Sequence, residues 1–319
     1  MAAPRDIFIG KLFELAQKDS SIIFISVDLG APSLDKWRSE LPDQFIAAGI
    51  SEQNAINVAA GLAASGKKPY VYMMASWAAR CFEQIRYSCA MGGNPITILG
   101  NGVALGYAPA GPAHEPTEDL AYMRAIEGIE IHSPSSAQLT IDLATESVNN
   151  PKLRYIRLER SVDAALEGFK TPDTSYFDNG MHVKNFYPGN DKAKKVCVFS
   201  SGYVLHRAEK VCEIIASETN FEVVLVDLWR IKPINQISLK ENIKDCDYLI
   251  SIEEQALSGG FSGAILETLS DLRINKGLIR FGLDSAFIFE NGTRDQLLDA
   301  NGLKVEEIAS KCLSQIMTN

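Results

Sequence analysis

The stretch FIAAGISEQNAINVAAGLAASGKKPYV, residues 45–71, runs from an apolar strand-like segment into a helix of small side chains and out into a second strand. Ser51 is placed to cap that helix, and Ala55, Val58, Ala59, Leu62 and Ala63 recur at i, i+3, i+4, i+7 and i+8, which predicts one buried stripe ending at Gly66. One carboxylate, Glu52, stands at the mouth of this apolar unit. An acid in a first helical turn gains ~0.3–1 kcal/mol from the helix dipole. Locally, that structural reading of Glu52 and a functional one weigh equally.

The same alternation extends outward in both directions. Strands are expected at SIIFISVD, KPYVYMM, NPITILG, GIEIHS and LRYIRL, with helices near 51–65, 76–91, 117–126 and 135–148. The stretch DTSYFDNGMHVKNFYPGNDKAKK, rich in Asn, Asp, Gly and Lys, reads as a boundary near residue 190. The pattern then restarts with strands at VCVFSS, EVVLVDL, YLISIEE and GLIRFGL, and helices near 203–217, 237–244, 260–271 and 304–316. The expected fold class is therefore α/β, with two doubly wound domains over 1–188 and 189–319, the first built on a mostly parallel sheet. A chain of 319 residues exceeds the usual size of one domain, which agrees.

Composition narrows the function classes. The net charge is −9 and no Lys/Arg stripe is present, so nucleic acid is not an expected partner. The six cysteines, Cys81, Cys89, Cys197, Cys212, Cys246 and Cys312, show no metal-ligand spacing and read as reduced, buried small hydrophobes. Residues 1–21 carry charges where a signal peptide needs an apolar core, and no run approaches the about 18 apolar residues of a membrane span. A cytoplasmic protein without membrane contact is expected.

In open α/β sheets ligands bind beyond the carboxyl ends of strands, which directs attention to VDLGAPS, AAGISEQN, MMASWAAR and LGNGVALGYAPAGPAHEP. The last is long for a strand-to-helix link. Its Gly100, Gly102 and Gly106 imitate a dinucleotide fingerprint, but Pro109, Gly111 and Pro112 forbid the helix that such a turn must enter.

Several ordered blocks resemble one family. GISEQNAINVAAGLAASGKKPYV, WAARCFEQIR, GPAHEPTEDLAYMRAI, IHSPSSA and YIRLER are similar to the pyrimidine-binding domain of transketolases and deoxyxylulose-phosphate synthases. VFSSGYVLHRAEKV, VVLVDLWRIKPI and IEEQALSGGFSGAI resemble the carboxy-terminal domain of the same superfamily. The resemblance implies thiamine diphosphate as cofactor, with Glu52 hydrogen-bonded to N1' of its aminopyrimidine. There it favours the imino tautomer that takes the proton from C2 of the thiazolium. It also implies that Met74, Trp77 and Arg80 bind the cofactor and that His114 contacts substrate near the reacting carbons, work suited to an imidazole. Arg160 and Lys36 fall where relatives bind the substrate phosphate, and Asn101 or Gly102 falls near another substrate histidine of many relatives. His132, His182 and His206 read as structural.

Two departures qualify the resemblance. Where sugar-phosphate transketolases show Gly-Asp-Gly-x-Thr-His, this chain has APAGPAH, with Ala110 and Ala113 at the positions of the acid and the threonine. No Gly-Asp-Gly occurs anywhere in the chain, so the diphosphate and its Mg2+ are expected to be held by a partner, an N-terminal transketolase subunit, in an α2β2 assembly; no metal ligand is expected from this chain. The implied activity is transfer of a two-carbon ketol unit from a ketose to an aldose. The alternatives are the beta subunit of a 2-oxo acid dehydrogenase or a deoxyxylulose-phosphate-synthase-like enzyme.

Overall fold

The computed structural model describes residues 2–160, 175–187 and 193–317. The chain divides into two compact units, Met1–Tyr107 with Ala113–Gly168, and Ala108–Pro112 with Phe169–Asn319.

The first unit carries β1 (Ile22–Ser26), β2 (Phe45–Ala47), β3 (Lys68–Met74), β4 (Thr97–Asn101), β5 (Glu130–His132) and β6 (Arg154–Leu158). They lie in the order β5-β6-β4-β3-β1-β2, and every pairing among them is parallel. β1, β4 and β6 are buried at every residue, as expected of strands covered on both faces. The helices are α1 (Pro4–Ala16), α2 (Leu34–Glu40), α3 (Glu52–Ala64), α4 (Phe82–Gln84), α5 (Asp119–Arg124) and α6 (Ala137–Asn149). Pro4 opens α1 at a position where its missing N–H costs nothing, and α6 is capped by the Ser136 hydroxyl, which accepts from the Leu139 N–H at 3.2 Å.

The helix that opened the sequence reading differs in two respects from expectation. Ser51 does not cap α3: its hydroxyl donates instead to the Ala48 carbonyl at 2.6 Å, closing the turn that leads into the helix. The buried stripe comprises Glu52, Ala55, Ile56, Ala59, Ala60 and Ala63, whereas Val58 is 37% exposed and Leu62 lies at the edge. Both stripes satisfy helical spacing, but the observed one is rotated so that Glu52 is its first member. The expected helix 76–91 is a composite, a 3-10 run Ala75–Cys81, then α4, then the wider π turns of Ile85–Met91.

The second unit contains α7 (Ser175–Asn179), β7 (His182–Tyr187), β8 (Lys195–Ser200), α8 (Leu205–Glu218), β9 (Glu222–Asp227), β10 (Arg230–Lys232) and α9 (Gln236–Ile243). β11 (Tyr248–Ala256), α10 (Phe261–Asp271), β12 (Leu278–Leu283), α11 (Arg294–Leu298) and α12 (Val305–Met317) follow. Its five-stranded sheet runs β12-β11-β8-β9-β7, parallel except for β7, which pairs antiparallel with β9. β7 lies inside the polar stretch read as the junction between domains, yet it is a strand of this second sheet. All six cysteines are free and buried, and burial pushes the Cys89 and Cys312 thiols up to about 12.

Gln44 shows how polar side chains tie the first unit together. Its buried Nε2 lies 3.2, 3.0 and 2.9 Å from the carbonyls of Ala16, Asp19 and Ile22, joining the end of α1 to the start of β1. Leu at this position removes those contacts from a buried site, and Gln44→Leu is expected to cost ~1–3 kcal/mol, read from the midpoint of urea unfolding.

Candidate active site

Glu52 begins α3 as part of its core stripe and is only 3% exposed. Arg80, in the 3-10 run after β3, donates from Nη1 to Glu52 Oε2 at 3.2 Å, while its own side chain remains 49% exposed. The carboxylate is therefore almost sealed from solvent, with the Arg80 guanidinium bonded to it. The same burial, reinforced by the negative charge of Glu52, pushes the neighbouring Cys81 thiol up to about 12. That thiol is not a nucleophile near neutral pH.

From this pair the contacts continue without a break. The Arg80 guanidinium carbon is 5.6 Å from the centre of the Trp77 ring, and Trp77 faces His114 with ring centres 6.1 Å apart. His114 in turn is 6.2 Å from Tyr107, and the Arg160 guanidinium carbon lies 4.1 Å above the Tyr107 ring. Asn101 donates from Nδ2 to the Tyr107 hydroxyl at 2.8 Å. Met74 and Asn101 are register partners at the carboxyl ends of β3 and β4, which places this cluster at the end of the sheet where ligands bind. Two acceptor-capable atoms in it, His114 Nδ1 and Asn101 Oδ1, are buried without a hydrogen-bond partner among the described residues.

Seven of the eight residues singled out from the sequence, Glu52, Met74, Trp77, Arg80, Asn101, His114 and Arg160, thus lie on this surface of the first unit. Lys36 makes none of these contacts. It is exposed on α2, lining a cleft of about 450 Å3 with Gly10, Phe13 and Gln17 of the α1 region. The glycines of the loop after β4 have steric causes: a side chain at Gly100 would overlap the Tyr155 ring, and Gly102, at φ +70°, is covered by the ring of Tyr107.

Sequence reasoning did not single out three residues that build the site. Tyr107 is one. The others are Asp119 and Arg157, both almost fully buried, joined by Arg157 Nε to Asp119 Oδ2 at 2.8 Å and Nη2 to Oδ1 at 3.2 Å. The Tyr155 hydroxyl also donates to Asp119 at 2.9 Å, and Arg157 reaches the Ser133 hydroxyl at 3.1 Å. Burial works against the charge of Arg157, and the Asp119 carboxylate more than offsets it, raising the pKa. The Tyr122 hydroxyl donates to the Ala75 carbonyl at 2.8 Å, so α5 is tied to the start of the segment that bears Trp77 and Arg80. The remaining histidines have structural settings: His132 Nε2 is 3.8 Å from Glu130, His182 Nδ1 is 3.4 Å from Asp227, and His206 Nδ1 is 2.6 Å from the Tyr203 carbonyl.

Residues 2–162 match the family "Transketolase, pyrimidine binding domain", and residues 190–308 match "Transketolase, C-terminal domain". The chain belongs to the transketolase family. It is 30% identical over 273 residues to one of the subunits of the apulose-4-phosphate transketolase of Phocaeicola vulgatus, covering 85% of each chain. It is 28% identical over 314 residues to the 1-deoxy-D-xylulose-5-phosphate synthase of Dictyoglomus thermophilum, covering 97% of this chain but 48% of that longer protein. Among solved structures, one described as a split gene transketolase, inactive beta4 tetramer, superposes with a TM-score of 0.82 at 27% identity, covering 97% of both chains. Transketolase-family enzymes use thiamine diphosphate, and the buried Glu52 carboxylate, the half-buried Trp77 ring and the unpartnered His114 nitrogen are of the kind that would receive its aminopyrimidine and a substrate beside it.

Removing the buried cation leaves the Asp119 charge without its partner. Arg157→Met is expected to destabilise the chain by ~3–5 kcal/mol, and Asp119→Asn in the same chain should recover much of that loss, both measured by urea unfolding.

Proposed function

We propose that this chain is the C-terminal subunit of a split, thiamine diphosphate-dependent transketolase that moves a two-carbon ketol unit from a ketose to an aldose. The observation that carries the reading is the burial of Glu52 in the core stripe of α3, at 3% exposure, beside a half-exposed arginine and an aromatic ring. Packing does not require an acid there, and a core position that holds one despite the cost of burying charge has a use for it.

When bound, the cofactor supplies a nucleophilic carbon that adds to the ketose carbonyl and carries the two-carbon unit to the aldehyde. In this reading Glu52 accepts a hydrogen bond from the aminopyrimidine, and the low exposure of the seat strengthens that bond. Met74 and Trp77 pack against the ring, and Arg80 balances the charge of Glu52 from the solvent side. His114 presents its unpartnered Nδ1 to the reacting oxygens of the substrate, holding or moving a proton there. Arg160 receives the anionic end of the sugar phosphate.

The diphosphate and its Mg2+ are assigned to a second polypeptide, because the chain contains no Gly-Asp-Gly and its relative in Phocaeicola vulgatus is itself named as one subunit of a transketolase. An α2β2 assembly in a cytoplasmic setting completes the proposal. No helix among the described residues is long and apolar enough to cross a membrane. A deoxyxylulose-phosphate-synthase-like activity is the second reading, favoured by the likeness over 97% of this chain and by the Arg80–Glu52 pair. Release of CO2 from a 2-oxo acid by the reconstituted complex would select it, or a 2-oxo acid dehydrogenase, over ketol transfer.

Glu52→Gln keeps the shape of the side chain and removes its charge. In the complex with the partner subunit it is expected to lower turnover by about 100-fold or more. Deuterium exchange at C2 of the bound cofactor should slow in parallel while association of the two polypeptides, followed by ultracentrifugation, is unchanged. Full turnover in this variant would refute the role of Glu52.

A further inference from the structure

Tyr107 occupies a singular place in the loop after β4. Its ring lies against Gly102, where the positive φ and the absent side chain leave room for it. Its hydroxyl is held by Asn101 at 2.8 Å, and Asn101 is fully buried at the end of β4. Above the ring, 4.1 Å from its centre, lies the Arg160 guanidinium. Arg160 is exposed and has no carboxylate partner among the described residues. The His114 ring stands 6.2 Å from Tyr107 on its way to Trp77 and Glu52. A phenol with its hydroxyl and one flank fixed to the sheet is a rigid platform, and a guanidinium stacked on it loses less freedom on binding than a solvated one.

We propose that Tyr107 is a positioning residue that holds the Arg160 guanidinium ready for the phosphoryl group of a sugar substrate, and thereby sets the preference for phosphorylated over unphosphorylated sugars. The inference rests on the substrate assignment of Arg160 made above, and adds to it the device that fixes the arginine. Asn101 anchors the platform through the tyrosine hydroxyl, and Gly102 gives the ring its place.

The test uses the complete complex with its cofactor bound and two acceptors, glyceraldehyde 3-phosphate and unphosphorylated glyceraldehyde. Tyr107→Ala is expected to raise KM for the phosphorylated aldehyde about tenfold more than KM for glyceraldehyde, whatever change in kcat the two acceptors share. Tyr107→Phe keeps the stacked ring and should restore most of the loss. In an Arg160→Ala background Tyr107→Ala should not change the ratio of the two KM values further, because the residue that Tyr107 positions is gone. Equal losses on both aldehydes, or fully additive losses in the double variant, overturn the proposal. Should the complex show no ketol transfer, calorimetric titration of inorganic phosphate into the cofactor-loaded complex decides separately. Arg160-dependent phosphate binding weakened by Tyr107→Ala supports the platform while the function reading fails, and binding unaffected by Tyr107→Ala overturns it.

Discussion

A carboxylate placed in the core stripe of a helix made of alanines is the constraint around which the first unit is arranged. Burying a charge costs several kcal/mol unless something nearby compensates, on the order given by transfer of ions into protein interiors. Here compensation is partial: one half-exposed arginine reaches the buried Glu52 carboxylate at 3.2 Å. The surrounding elements follow from this. The Ser51 hydroxyl closes the entry turn instead of capping, Gly66 ends the helix with φ +85°, and the 3-10 run after β3 brings Arg80 and Trp77 to the same spot.

The same unit contains a second ion pair of opposite character. Asp119 and Arg157 are sealed from solvent, and Tyr155, Ser133 and a backbone N–H add hydrogen bonds to the two that join the pair. Among the described residues, Glu52 and Arg80 are matched by a single bond. The closed pair ties β6 to helix α5 and to Ser133 after β5, whereas an open pair retains capacity for a further hydrogen bond. The contrast separates a structural ion pair from one suited to chemistry more clearly than burial does, since both carboxylates are nearly inaccessible.

Much of this arrangement was legible in the sequence, and the failures have physical reasons. The parallel strands declared themselves through short apolar runs, because strands covered on both faces need no alternation. The long helix Ala137–Asn149 was placed within two residues. The phase of α3 was not found: with alanine on nearly every face, two stripes were equally apolar, and only tertiary packing chose the one that includes Glu52. The strand His182–Tyr187 was hidden because an edge strand among polar turn residues has little hydrophobic signal. In the site, Glu52, Trp77, Arg80 and His114 came from the family resemblance and not from spacing. Tyr107 and the Asp119–Arg157 pair escaped because their roles depend on partners 6 to 38 residues away.

The antiparallel strand β7 has a consequence for handling the second unit. It covers the outer edge of β9, whose residues Val223, Val224, Leu225 and Val226 are apolar and buried. A fragment beginning at the polar boundary near residue 190 would leave that edge with unsatisfied backbone groups beside a run of valines. Such an edge recruits strands from other molecules, so the fragment would precipitate, whereas one that begins before His182 brings its own cover.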